Sequence, residues 1–208
     1  MYYIRTLAYL IVITSLSSAN AGSFDDFFSA VKSNDAGAVS SLLARGFDPN
    51  ARNEGGQFAL GLAARDGADR VVDVLLKQPQ LEVDTRNNAG ETALMLAALH
   101  GHISISERLI AHGAAVTQKG WNALLYAAAG PEPKLVEWLL EKGAPIESRS
   151  PNGTTALMMA ARYGSEQTVL LLLAHHADVK VRNERGMNAA DFARSVGRES
   201  LAERLDSR

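Results

Sequence analysis

The sequence predicts an all-α solenoid of helix-turn-helix units joined by short hairpin loops, and three recurrences carry that prediction. Gly56-Gln-Phe-Ala-Leu60, Gly90-Glu-Thr-Ala-Leu94, Gly120-Trp-Asn-Ala-Leu124, Gly153-Thr-Thr-Ala-Leu157 and Gly186-Met-Asn-Ala-Ala190 repeat at glycine spacings of 34, 30, 33 and 33 residues. Alanine pairs follow in the first four blocks, Ala63-Ala64, Ala97-Ala98, Ala127-Ala128 and Ala160-Ala161. An apolar pair begins 12 residues after each, at Leu75-Leu76, Leu109-Ile110, Leu139-Leu140 and Leu172-Leu173. A period of this length means a unit that buries its apolar face against copies of itself.

Residues 1–21 stand apart from this pattern. Arg5 supplies a positive start, Leu7 to Leu16 is almost unbrokenly apolar, and Ala19-Asn20-Ala21 offers the small residues a signal peptidase needs, so cleavage after Ala21 is expected. The apolar run falls well short of the roughly 20 residues that span a bilayer.

The rest, 22–208, reads as one domain: a cap over 23–53, repeats over 54–86, 87–117, 118–149 and 150–182, and a cap over 183–208, six units in all. In the first cap, Asp25 and Asp26 suit a helix N-terminus, and Ala30-Val31 and Leu42-Leu43 keep the register. In the repeats, Thr92, Asn122, Thr155 and Asn188 precede the first helix as N-caps, because their side-chain oxygens can accept from an orphaned backbone amide. The alanine pairs give that helix a narrow face for close packing, and the leucines of the second helix fill the space behind. Gly67, Gly101 and Gly164 fall between the helices, where a left-handed residue ends the first one. The last unit intersperses Arg198, Glu199, Glu203, Arg204 and Asp206 among Leu201, Ala202 and Leu205, as a water-facing cap requires.

These residues resemble the ankyrin repeat, most closely over Gly90-Glu-Thr-Ala-Leu-Met-Leu-Ala-Ala-Leu-His-Gly-His102 with Leu109, Gly113 and Ala114, and the resemblance covers residues 23–208. It implies a binding scaffold and leaves the partner open. The sequence departs from the pattern in four ways. Alanine stands where the family prefers proline at the first helical position. Gly61, Met95, Leu125, Met158 and Asp191 replace its histidine, so the bond that histidine makes between loops does not carry over. The connection from Gly113 to Gly120 is about three residues short, which predicts a stunted finger. Pro131-Glu132-Pro133 replaces one interhelical Gly-His and should stiffen that turn.

The composition argues against several chemistries. Cysteine is absent, and 21 basic against 23 acidic side chains leave no basic excess for nucleic acid. Five histidines invite a metal, but His112 and His175 occupy one column two units apart, about 20 Å if helices stack at about 10 Å. His102 matches a structural turn position. No nucleophile elbow, phosphate loop or histidine-pair zinc helix occurs, so no catalytic residue, cofactor or metal site is expected.

The binding face is expected on the concave side, made by the loops and the first helices. Arg52, Arg86, Arg149 and Arg182 each precede a repeat glycine by four residues and form a row that suits an acidic partner. Trp121, in the column of Glu91 and Thr154, should face solvent as an anchor or else fold over the short finger. Arg65, Asp66, His100, Arg162 and Tyr163 complete the face, whereas Trp138 on an outer helix reads as packing. The expected partner is another protein, with no nucleic acid, no membrane once the signal is removed, and a monomeric chain. Resemblance to small exported bacterial ankyrin proteins implies a periplasmic or secreted scaffold that supports a partner enzyme such as a catalase in peroxide resistance. The alternatives are an immunity protein that neutralises a toxin delivered to the periplasm, and an enzyme or metal binder of unrecognised type.

Overall fold

The computed structural model describes residues 23–208; the expected signal segment lies outside the described residues. Its helices are α1 (23–32), α2 (Ala36–Ala44), α3 (Ala59–Asp66), α4 (Asp69–Leu76), α5 (Ala93–Leu99) and α6 (Ile103–Ala111). They continue as α7 (Ala123–Ala129), α8 (Pro133–Glu141), α9 (Ala156–Arg162), α10 (Glu166–Ala174), α11 (Ala189–Arg194) and α12 (Glu199–Asp206). From α3 to α12 each odd-numbered helix packs against the helix that follows it, and each inner helix of the odd-numbered series from α3 to α11 packs against the inner helices beside it. Among the described residues there is no strand, only an isolated antiparallel bridge between Arg52 and Phe58.

Helices α3, α5, α7, α9 and α11 all begin on the alanine that stands in the proline position of the repeat, and each of those alanines is buried. Thr92, Asn122, Thr155 and Asn188 cap four of them, accepting from Met95, Leu125, Met158 and Asp191 amides. Asp191 returns the bond to the Asn188 amide, completing a capping box. The alanine pairs are wholly buried, which lets the inner helices approach closely, and Leu75, Leu109, Leu139 and Leu172 fill the layer behind. Within each leucine pair the first member takes the core. Ile110, Leu140 and Leu173, the second members in three pairs, are only half-buried, because the next position on a helix turns toward solvent.

The interhelical turns need glycine for two different reasons. Gly67 and Gly101 adopt φ of +69° and +75°, as expected. Gly164 does not: it is not left-handed, and a Cβ there would lie 2.3 Å from the Ala128 carbonyl oxygen. Close approach of the end of α9 to α7 excludes a side chain, and Ser165 caps α10 instead. At the proline-rich turn, Glu132 caps α8 and Pro133 occupies its first position, where the missing N–H costs nothing.

Neighbouring units are tied by side chains other than the absent histidines. His102 Nε2 lies 3.1 Å from the Arg65 carbonyl. At the equivalent place in the last unit, Arg198 donates to the Ala160, Ala161 and Gly164 carbonyls at the end of α9. Between loops, Asn50 accepts from the Glu82 amide, Asp84 from Ala115 and Glu147 from Asp178, each spanning one repeat. The first cap is closed by a phenylalanine cluster in which Phe27 and Phe47 stack with centroids 4.3 Å apart and Phe28 meets Phe27 edge-on.

Candidate protein-binding face

The fingers are built from one local device. In the finger before each of α3, α5, α9 and α11, a residue three before the repeat glycine pairs backbone to backbone with the residue after that glycine. The pairs are Asn53 with Gln57, Asn87 with Glu91, Ser150 with Thr154 and Asn183 with Met187. The side chain of the same Asn or Ser accepts from the amide of its pair, fixing the turn. Sequence reasoning passed over this Asn/Asn/Ser/Asn column, although its constant offset from the glycine was visible. No such pair forms between Gly113 and Trp121, where the connection is short.

The arginine row belongs largely to this device. Arg52, Arg86 and Arg182 each donate through Nη1 to the carbonyl of the glycine four residues on, at 3.2, 2.6 and 2.5 Å. Arg86 also bonds Gln118, and Arg182 meets Asp191 at 3.4 Å. All four are exposed, and Arg149 alone in the row makes no side-chain hydrogen bond among the described residues. On the inner helices, Arg65 and Asp66 form a two-point pair at 2.7 and 3.0 Å. That hydrogen bond holds the Asp66 carboxyl below its ordinary range, against desolvation, and raises Arg65. His100 is exposed at the end of α5 with its ring parallel to His102, 6.2 Å away.

The inner face changes character at α7. Its last position and the residue after it are Ala129 and Gly130, in columns where α3, α5 and α9 bring Arg65-Asp66, Leu99-His100 and Arg162-Tyr163. Two small residues in a row of long ones leave a hollow. Of the two places expected for Trp121, out in solvent or folded inward over the short finger, the structure shows an inward one. With no finger to hold it up, Trp121 lies half-buried, edge-to-face on Tyr126 at 5.9 Å and 86°. The hollow, about 330 Å³, is lined by Leu99, Trp121, Tyr126, Ala129, Met159 and Tyr163, none of them charged. Tyr163 is 57% exposed, the most open large apolar side chain among those described.

Polar contacts pin this apolar lining from behind. The Tyr126 hydroxyl donates to Glu91 Oε1 at 3.1 Å, and Glu91 Oε2 accepts from Asn87 Nδ2 at 2.8 Å. Burial, and then the Glu91 charge, push the Tyr126 phenol well above its ordinary pKa, so it stays a neutral donor. A second hollow of about 240 Å³ adjoins the first through Trp121, Met159 and Tyr163 and reaches Arg162 and Arg185. Arg162 lies over the Tyr163 ring at 5.1 Å. Sequence reasoning singled out Trp121, Arg162 and Tyr163 but not Leu99, Tyr126 or Met159. Trp138 is half-buried against the core with Lys142 over its ring at 5.5 Å, a packing position. Among the described residues, no group of three His, Asp or Glu side chains could hold a metal ion.

Stacked helix pairs with one uncovered inner face define a helical-repeat scaffold. The family model described as ankyrin repeats, in three copies, matches residues 27–120, 63–150 and 109–183, and the chain belongs to the ankyrin-repeat family, whose repeats bind other proteins. The chain is 32% identical over 161 residues to the nuclear factor NF-kappa-B p105 subunit of Gallus gallus, covering 74% of this chain and 16% of that one. It is 31% identical over 168 residues to the tyrosine-protein kinase Shark of Drosophila melanogaster, covering 78% and 18%. The chain thus spans less than a fifth of these curated relatives. Among solved structures, it superposes with a TM-score of 0.73 and 30% identity on a chain of the complex between the Bd0816 predatory endopeptidase of Bdellovibrio bacteriovorus and immunity protein Bd3460, covering 88% of this chain and 97% of that one. The human ASB11 ankyrin repeat domain gives a TM-score of 0.71 at 25% identity, covering 86% and 81%.

Proposed function

We propose that this chain is an exported, non-catalytic scaffold that binds one partner protein through the apolar hollow between α5, α7 and α9. One observation carries the reading: Trp121, Tyr126, Met159 and Tyr163 line an uncharged concavity on a face where Arg65, Asp66 and Arg86 are paired within the chain. Uncovered apolar area with aromatic side chains is what an interface centre requires. The signal-like segment 1–21 supports export to the periplasm, and the scaffold acts there as a monomer.

A second observation favours a particular role within that reading. The likeness to a chain of an endopeptidase–immunity protein complex extends over nearly the whole of that chain, which supports a neutralising partner that occludes an enzyme. Capture from a periplasmic extract separates the roles, using the full chain expressed with its signal and a C-terminal tag, beside a Trp121→Ala twin. A hydrolytic toxin recovered by the parent and lost by the twin supports neutralisation. A catalase recovered in that pattern supports a role in peroxide resistance. Equal recovery by both chains contradicts the hollow as the binding face.

A further inference from the structure

The second hollow differs from the first in one respect: its charged lining residues are both basic. Arg162 and Arg185 reach it, together with the Asn152 and Asn183 side chains, and no carboxylate lines it. Arg185 is exposed and its guanidinium has no partner among the described residues. Arg162 is held in place yet incompletely satisfied. Its Nη1 donates to Ser195 at 3.3 Å and its plane lies over the Tyr163 ring, but its Nε is shut off from solvent without a hydrogen-bond acceptor. An arginine that is positioned by its neighbours and still has unmet donors is a receptor for a planar anion. The three row arginines that bond their own fingers lack that freedom.

We propose that this second hollow takes an Asp or Glu side chain of the partner, set within a residue or two of an aromatic or large aliphatic side chain that fills the first. This rests on the reading that the apolar hollow is the binding face. The two hollows share Trp121, Met159 and Tyr163, so one continuous segment lying across them must place neighbouring residues in each. The charge of Arg162 and Arg185 selects the carboxylate, and the uncharged lining next door selects its apolar neighbour. Acidic recognition is thereby assigned to Arg162 and Arg185 instead of to the finger row.

The test is a selection of random peptides, displayed within a loop of a coat protein so that no chain terminus is free, on the full chain and on its Arg162→Gln, Arg185→Gln and Trp121→Ala variants. The expected winners on the parent pair an aromatic or leucine with Asp or Glu one or two residues away. Changing that acid to its amide weakens binding about tenfold or more, the scale of losing a charge-assisted hydrogen bond. Either arginine variant should lose the acidic preference and keep the apolar one. Arg185, being exposed, carries the test if Arg162→Gln melts early. Winners with an apolar residue and no acidic preference overturn this proposal and leave the apolar hollow standing. Winners indifferent to Trp121→Ala, or no winners at all, overturn both.

Discussion

The inner face at α3 and the inner face at α7 to α9 share one backbone and differ in what their side chains have left to offer. At α3, Arg65 and Asp66 close on each other and Arg52 closes on its own finger. At α7 to α9, Trp121, Tyr126, Met159 and Tyr163 line an open hollow, with Tyr126 bonded to Glu91 behind it and Arg162 over the Tyr163 ring. The repeat thus supplies the same frame at both places, and the proposed recognition site lies where a repeat lacks something. Here the missing pieces are about three finger residues before Gly120 and two long side chains at Ala129 and Gly130.

The largest effect should separate the two regions by binding. Trp121→Ala is expected to weaken partner binding by about 2 kcal/mol or more, measured by titration calorimetry, because it removes the central aromatic of the hollow. Next comes the shared scaffold. Ala128→Leu should destabilise the fold by about 1 to 3 kcal/mol, because that alanine is fully buried where α7 meets its neighbours. An unchanged Tm in thermal denaturation would break the packing on which both regions depend. At the polar end, Arg65→Ala is expected to leave partner affinity within about 0.5 kcal/mol, since a surface pair contributes little. A large loss there would erase the distinction.

The finest test concerns the support behind the hollow. With residues 1–21 removed, Tyr126 and Tyr163 are the only tyrosines of the chain. The Tyr126 pKa is raised in the fold, so its stabilising contribution is full below the unfolded value of about 10 and disappears as pH rises through the folded one. Tyrosinate absorbance should show one phenol ionising later in the native chain than in denaturant, and Glu91→Gln should move it back toward the denatured value.

Much of this architecture was legible because a repeat writes each requirement several times. Thr92, Asn122, Thr155 and Asn188 announce helix starts by position alone, and the alanine pairs announce the packed face. The hollow was harder to read because it is a difference between repeats. Ala129 and Gly130 matter only beside Leu99 and Tyr163, and the columns of a repeat bring out sameness. Side-chain direction was also out of reach: the four-residue offset of Arg52, Arg86 and Arg182 from glycine is plain in the sequence, but not that the guanidinium turns back onto its carbonyl. Gly164 was misread for a related reason, since a close approach from α7 leaves no local mark.

Site-specific photo-crosslinking tests the central claim most directly. Tyr163 on the concave face and Leu170 on outer helix α10 are 57% and 52% exposed, a matched pair on opposite sides of the solenoid. With a photoreactive residue at each in turn, the partner should become attached at position 163 and not at 170. Attachment at 170 with none at 163 would contradict the concave hollow as the seat of recognition.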